Sequence, residues 1–470
     1  MLQRNESLDA LRGFAILTMV LSGAIAYGGV LPPWMYHAQV PPPLHKFDAA
    51  IPGITWVDLV FPFFLFSMGA AIPLALKKHI EAGKGAGYVL QLAAKRFALL
   101  AFFALFTQHM KAWVIVPQPG VSEQLLSLFA FVLLFFQFYD YKGQRYRRIF
   151  IVIRILAFAA AVYLLWLLPF WNGKGFDLYK SDIIILVLAN MAFFCTIIYY
   201  FTRNQPLLRI GLLPFVMAIF LAAKEPGGGW AKMIFEWKGI GSFQIDWLYK
   251  FYFLKYLFLI LPGTIAGEWM LQVMQQKEEN SALSRNHENL LSLLATGLLV
   301  LNLYGLFTRE LVLNVTGSLL ICIGALYLLR SAEPENLYRK LAEAGTYLLL
   351  LGLFFEAYEG GIKKDSSTYS YYFVTGGLAF FMLIIFTVLA KRNYFGAIST
   401  YFALNGKNPM VAYVAGNLLL LPLLQLTHTK FILDSMTQNA WMGFLRGVLF
   451  TGIVSLITIF FVKRKWFWKT

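Results

Sequence analysis

Apolar runs of membrane-spanning length recur along this chain from residue 10 to residue 462. Nothing else about the sequence narrows its fold as much. A helix needs about 20 predominantly apolar residues to cross a bilayer. The chain supplies such stretches near 10–30, 56–76, 92–112, 122–139, 149–170, 181–201 and 206–223. They continue near 248–272, 288–307, 311–329, 342–358, 371–390, 408–427 and 440–462. The chain is 59% hydrophobic and only 14% charged, and a soluble domain rarely carries so little charge. The runs are too long and too rich in Leu, Phe and Ile for barrel strands. The expected fold is therefore all-α, a polytopic transmembrane bundle of about 14 spans. Twelve is the alternative, because 206–223 is short and the turns within 288–329 and 342–390 are tight.

Charge sets the orientation. The net charge of +16 does not point to nucleic acid, because Lys and Arg cluster between spans, where the positive-inside rule places them. With a cytoplasmic N-terminus, Lys77, Lys78, Lys95, Arg96, Arg147, Arg148, Arg203, Arg330, Lys391 and the Lys463–Lys465 tail all fall inside. Loop 31–55 then falls outside with Lys46 as its sole Lys or Arg, and 113–121 has none. Both termini are expected inside, with an even number of spans. The first span imitates a signal peptide loosely, but Asp9 and Arg12 at its start argue against cleavage. Cys195 and Cys322 lie in apolar runs and read as buried thiols. No cluster has metal-ligand spacing, so no metal is expected.

The stretch with most chemical content is 45–69, HKFDAAIPGITWVDLVFPFFLFSMG. A His in a Pro-stiffened loop precedes an apolar span that opens with Asp58. An ionisable group at the mouth of a membrane helix marks a candidate functional site. A His beside it titrates near neutral pH. His45 is nearest to Asp58 in sequence and is the first candidate, with His37 of the same loop as its rival. The plain alternatives are a snorkelling interfacial His and an Asp that caps its helix. His79 and His287 read as solvated loop residues, and His109 as interfacial.

Anion-binding groups are sought elsewhere. Asp9 and Arg12, three apart at the start of span one, share a helix face, with Ser7 as a plausible N-cap. They read either as an internal ion pair or as a cytoplasmic anion site with Arg12 offering its fork. Asn408 before Pro409 reads as an N-cap, or as part of an anion-binding helix start. Lys363 and Lys364 invite the same double reading.

Several segments then resemble a known family. These are SLDALRG at 7–13, His45, GITWVDLVFPFFLFSMG at 53–69, KDSSTYSY at 364–371, NGKNP at 405–409 with Ala412-Tyr413-Val414, and RKWFWK at 464–469. They resemble the heparan-α-glucosaminide N-acetyltransferase family, and more closely its bacterial relatives of unassigned function. Both ends match well, whereas 171–250 and 300–345 match poorly and read as insertions in a single membrane domain. The resemblance implies transfer of acetyl from cytoplasmic acetyl-CoA to an amino sugar or glycan at the far side of a membrane. It puts the active His at His45 and its acid at Asp58. His45 stands eight residues before Gly53, a longer spacing than in the animal enzyme, and this keeps His37 as a rival. The family's Asn late in span one is replaced by Gly23, beside Ser22.

The expected role is that of an acyltransferase. Its His would serve as general base or as acetyl carrier. Arg12, Asp9, Asn408, Lys364 and the basic residues Lys95 and Arg96 are the candidate contacts of acetyl-CoA. Expected partners are the bilayer, presumed by the resemblance to be a bacterial cytoplasmic membrane, the donor and the glycan acceptor. A homodimer stays open, and nucleic acid is not among the partners. Rival readings are a transporter of a sugar or lipid-linked intermediate, and a silent membrane scaffold.

Overall fold

The computed structural model describes residues 5–275, 283–392 and 396–470. Fourteen helices among them are long and apolar enough to span a membrane. They are α1 (Glu6–Ala24), α2 (Trp56–Glu81), α3 (Ala86–His109), α4 (Val121–Phe138), α5 (Arg147–Leu167), α6 (Ile183–Thr202) and α7 (Pro206–Lys224). They continue as α8 (Phe251–Gln275), α9 (Arg285–Thr308), α10 (Leu311–Leu328), α11 (Leu337–Tyr358), α12 (Tyr369–Ala390), α13 (Pro409–Leu426) and α14 (Ala440–Lys463). The protein is an integral membrane protein, and the segment doubted at 206–223 forms a full helix. A short ribbon pairs Gly239–Ile240 with Phe243–Gln244.

Local chemistry sets the helix ends. Asn5, not Ser7, caps α1, its side chain accepting Leu8 N–H at 3.0 Å. Asp182, Ser284, Asn336 and Asn439 cap α6, α9, α11 and α14 in the same way. Helix α1 therefore begins earlier than its hydropathy suggests, and the chain turns extended at Ile25. In α13, Gly416–Leu420 forms a π-helical turn just before Pro422. The proline cannot donate to the ladder, and such bulges recur at functional sites.

Helix α12 is the most buried span and forms the axis, with α11, α9, α1, α2 and α8 packed on it. Helices α5, α7 and α10 face outward with apolar side chains, as lipid contact requires. Helix α6 lies within the poorly matching stretch 171–250, yet it belongs to the core.

The start of α1 and the C-terminal tail reach the same face of the bundle. The tail folds back there, Asp140 N–H meeting Phe467 C=O at 3.0 Å and Lys469 N–H meeting Phe138 C=O at 2.8 Å. A helix at Gly396–Gly406 lies against α1 at this face. The two cross so closely that a Cβ on Gly13 would stand 1.8 Å from Phe402 O, and one on Gly406 would stand 1.9 Å from Asp9 O. Only glycine fits at that crossing.

Candidate functional site

At the opposite face, the loop 31–55 is laid onto the mouth of α2 by its own polar groups. Tyr36 OH donates to Ala26 C=O at 2.7 Å and accepts Leu31 N–H at 3.3 Å. Thr55 Oγ1 donates to Tyr36 C=O at 2.7 Å. These bonds bring residues 36–39 over the first turn of α2, so His37 meets Asp58.

Asp58 is fully buried and divides its two oxygens. Oδ2 accepts Thr55 N–H at 2.9 Å and Ala38 N–H at 3.3 Å, which is the capping role foreseen for it. Oδ1 instead faces charge, with His37 Nδ1 at 3.0 Å and Lys364 Nζ at 3.7 Å. Tyr371 OH donates to the Asp58 carbonyl at 2.8 Å. The other ring nitrogen, His37 Nε2, lies 3.2 Å from Asp365 Oδ2. Gln39 clamps the Asp365 backbone, its Oε1 accepting Asp365 N–H at 2.8 Å while its amide donates to the Asp365 carbonyl. Gly53, at φ +124°, closes the assembly by donating its N–H to Ile362 C=O at 2.7 Å.

One nitrogen is contested. Gln39 N–H approaches His37 Nδ1 at 3.2 Å, which would require a lone pair there. Asp58 Oδ1 at 3.0 Å requires a proton instead. Oδ1 lacks a hydrogen bond of good angle, so its attraction to the ring is mainly ionic. A charge-assisted contact to a buried carboxylate outweighs a neutral amide contact, so Nδ1 keeps its proton. Burial of the His37 ring works to lower its pKa. The hydrogen bond to Asp365 and the adjoining Asp58 carboxylate outweigh this, Lys364 opposing, and the net direction is upward. The His37 hydrogen bond, followed by the charge of Lys364, holds the Asp365 carboxyl below its usual range against partial burial. The ring thus lies between a fully buried carboxylate and one whose side chain is 50% exposed. The proton at the exposed side is the one that can exchange with a substrate.

His45 does not meet Asp58. Its Nε2 accepts Gly28 N–H at 3.0 Å, and its ring is set edge-on between Tyr27 and Tyr36 at 4.8 and 4.6 Å. It fastens the loop to the end of α1, at a backbone φ of +48°. Sequence distance favoured His45, but the turn at 41–45 leads the chain away before α2 begins. His109 is buried between Leu105 C=O and Asp177 N–H, and it too lies apart. Gln39 and Asp365 were missed. Asp365 had a legible signal, an acid beside Lys364 in a loop at this face, whereas Gln39 had none.

The expected donor contacts separate. Lys364 stands beside Asp58, across the bundle from Arg12. Asn408 occupies the N-cap position of α13, but its side chain binds the tail, donating to Trp466 C=O at 2.9 Å and accepting Trp468 N–H at 3.2 Å. Arg12 pairs with Asp9 at 3.3 Å and reaches Ser67 C=O at 3.4 Å. Lys95 is exposed outside the nearby cavity.

That cavity, about 440 Å³, opens at the face of the termini. Arg12, Arg96, Lys407 and Lys469 line it together with apolar Phe64, Met68 and Met410. A second cavity of about 280 Å³ lies toward the opposite face, lined by Lys111, Asp182, Tyr413, Asn417 and Arg446. Helices α1, α6 and α13 line both, through Arg12 and Met19, Leu188 and Ile184, Met410 and Gly416. In the second cavity Tyr413 OH sits 2.8 Å from each Asp182 oxygen.

No curated protein matches the chain. The family described as "Domain of unknown function (DUF5009)" matches residues 4–270, a span that holds His37 and Asp58 and stops short of Lys364 and Asp365. Since that match takes in more than half of the 470 residues, the protein belongs to the DUF5009 family.

Proposed function

We propose that this protein is a membrane acyltransferase. It takes acetyl from acetyl-CoA admitted at the face of the termini and delivers it to an amino sugar or glycan at the opposite face. The observation that carries this reading is the His37 ring held between buried Asp58 and half-exposed Asp365. A thioester is already activated, so the acceptor needs chiefly to lose a proton as it attacks. With its Nδ1–H held by Asp58, a neutral His37 presents the Nε2 lone pair outward, as a general base requires. Asp365, beside that nitrogen, is placed to receive an acceptor ammonium, and its displacement frees Nε2. The cavity at the other face suits a polyanionic donor, with four cations around an apolar wall. It reaches Phe64 of α2, six residues from Asp58, roughly 9 Å along the helix.

The test is acetyl transfer by purified protein with labelled acetyl-CoA over a panel of amino sugars. His37→Ala is expected to lower transfer by about 10²–10⁴. His45→Ala is expected to keep transfer and lose thermal stability. Should His45→Ala abolish transfer in folded protein while His37→Ala keeps it, the assignment of roles fails. Two polar cavities in line along α1, α6 and α13 favour a second reading, a transporter. Substrate flux without consumption of acetyl-CoA would select it.

A further inference from the structure

A lipid-facing groove of about 580 Å³ runs between α7, α8, α11 and α12. Its walls are apolar, including Pro214, Met217, Phe258, Leu351, Phe355 and Phe373. From Leu207 to Met217 it follows α7 for about 15 Å.

At the outer end the chemistry changes within two turns on every wall. Helix α7 ends at Lys224, α8 carries Lys255 three residues before Phe258, and α11 leads to Glu359 just past its end. Helix α12 begins with Tyr369, four residues before Phe373. Tyr369 OH reaches Met217 C=O at 3.5 Å, and its ring packs on Phe258 and Phe355 at 5.3 and 6.2 Å. The polar crown therefore rests directly on the groove.

The crown brings two ammonium groups together, Lys255 and Lys224, which act on each other through their charges. Lys255 is buried, 4% exposed. Its ammonium donates to Ser367 C=O and otherwise faces the rings of Tyr369, Phe220 and Tyr252 at 5.0, 5.2 and 5.8 Å. Glu359 is the carboxylate nearest in charge to Lys255, and each of its oxygens also accepts an N–H at 2.8 Å, from Tyr369 and from Ser370. Among the described residues, neither Lys255 nor Lys224 makes an ion pair with a carboxylate. An ionisable group at membrane depth marks a candidate ligand path. Two residues before Ser367 the chain reaches Asp365, which touches His37.

We propose that this groove binds a phosphate-linked lipid glycan of the outer leaflet. Its hydrocarbon chain lies along α7, its phosphate meets Lys255 and Lys224, and its sugar extends toward Asp365 and His37. Only the placement of the sugar rests on the acyltransferase reading. An apolar trench alone would suit any bilayer lipid, but a trench with two neighbouring ammonium groups at its outer end, beside a sugar-sized polar site, favours an anionic amphiphile.

The experiment uses full-length protein in phosphatidylcholine nanodiscs and a farnesyl phosphoglucosamine probe with a diazirine on its chain. Photolysis is expected to label peptides of α7, α8, α11 or α12. Gly211 lines the groove and has open space where a Cβ would stand, so Gly211→Trp fills the trench and is expected to abolish labelling. Lys255→Met is expected to weaken labelling by this probe but not by farnesyl glucosaminide, which lacks phosphate. Labelling scattered over the lipid-facing surface would overturn the proposal, as would equal competition by excess phosphatidylglycerol or indifference to both substitutions. Groove labelling without acetyl transfer would keep this inference and defeat the acyltransferase reading. Acetylation of free glucosamine without groove labelling would do the reverse.

Discussion

At the scale of single residues, the protonation of His37 links geometry to rate. If His37 Nε2 must be free to accept a proton, transfer rises as pH rises through the His37 pKa. That pKa is displaced upward from the ordinary value of about 6.5, so half-maximal activity is expected above it. Asp365→Asn removes the largest of the contributions that raise it. The midpoint of the pH–rate profile should therefore move to lower pH, and acceptor KM should rise if Asp365 also binds an ammonium. An unshifted midpoint would remove His37 from the rate-limiting proton transfer. Arg12 offers a second test. Arg12→Ala is expected to weaken acetyl-CoA binding by about 1.5–3 kcal/mol, the range for a hydrogen bond to a charged group. Unchanged binding by calorimetry would leave Arg12 a structural role, through contacts such as those with Asp9 and Ser67. Asp58 was legible as an acid at a helix mouth, and it proves to be cap and counter-ion together. The choice between His37 and His45 was not legible, because it depends on bonds from Tyr36 and Thr55 that reverse the order of sequence distance.

At the scale of elements, the crossing of α1 with the helix Gly396–Gly406 places Arg12 at the cavity proposed for the donor. Gly13→Ala would push a Cβ into Phe402 O and Gly406 N, both backbone atoms that cannot turn away. The loss of stability is expected to be about 1–3 kcal/mol or more, the usual cost of overpacking. It would appear as a lower Tm in detergent. Gly87→Ala is the control, since nothing stands near its Cβ position. Equal melting of the two variants would mean that the helices can separate at no cost. Glycine at 13 and 406 carries no periodic signal. Its necessity becomes visible only when the two segments are brought together across nearly four hundred residues.

At the scale of the whole molecule, fourteen spans return the start of α1 and the C-terminal tail to one face. In intact cells, a cysteine placed in loop 31–55 should react with an impermeant reagent, and one in the 465–470 tail should not. Equal reactivity would contradict the charge-derived orientation and the transmembrane direction of transfer. The number and approximate position of the spans were written in the sequence. Apolar length and loop charge are one-dimensional quantities, and a bilayer admits few ways of satisfying backbone hydrogen bonds. Asp58 was likewise marked by its chemistry, since a lone acid at the start of an apolar run stands out wherever that run packs. Tertiary structure alone decided which histidine Asp58 holds, that Lys364 and Asp365 complete the site, and that Asn408 ties down the tail. Those pairings join segments up to 328 residues apart, as His37 and Asp365 show. Contacts of that range follow from how the helices pack, which periodicity along a single helix does not encode.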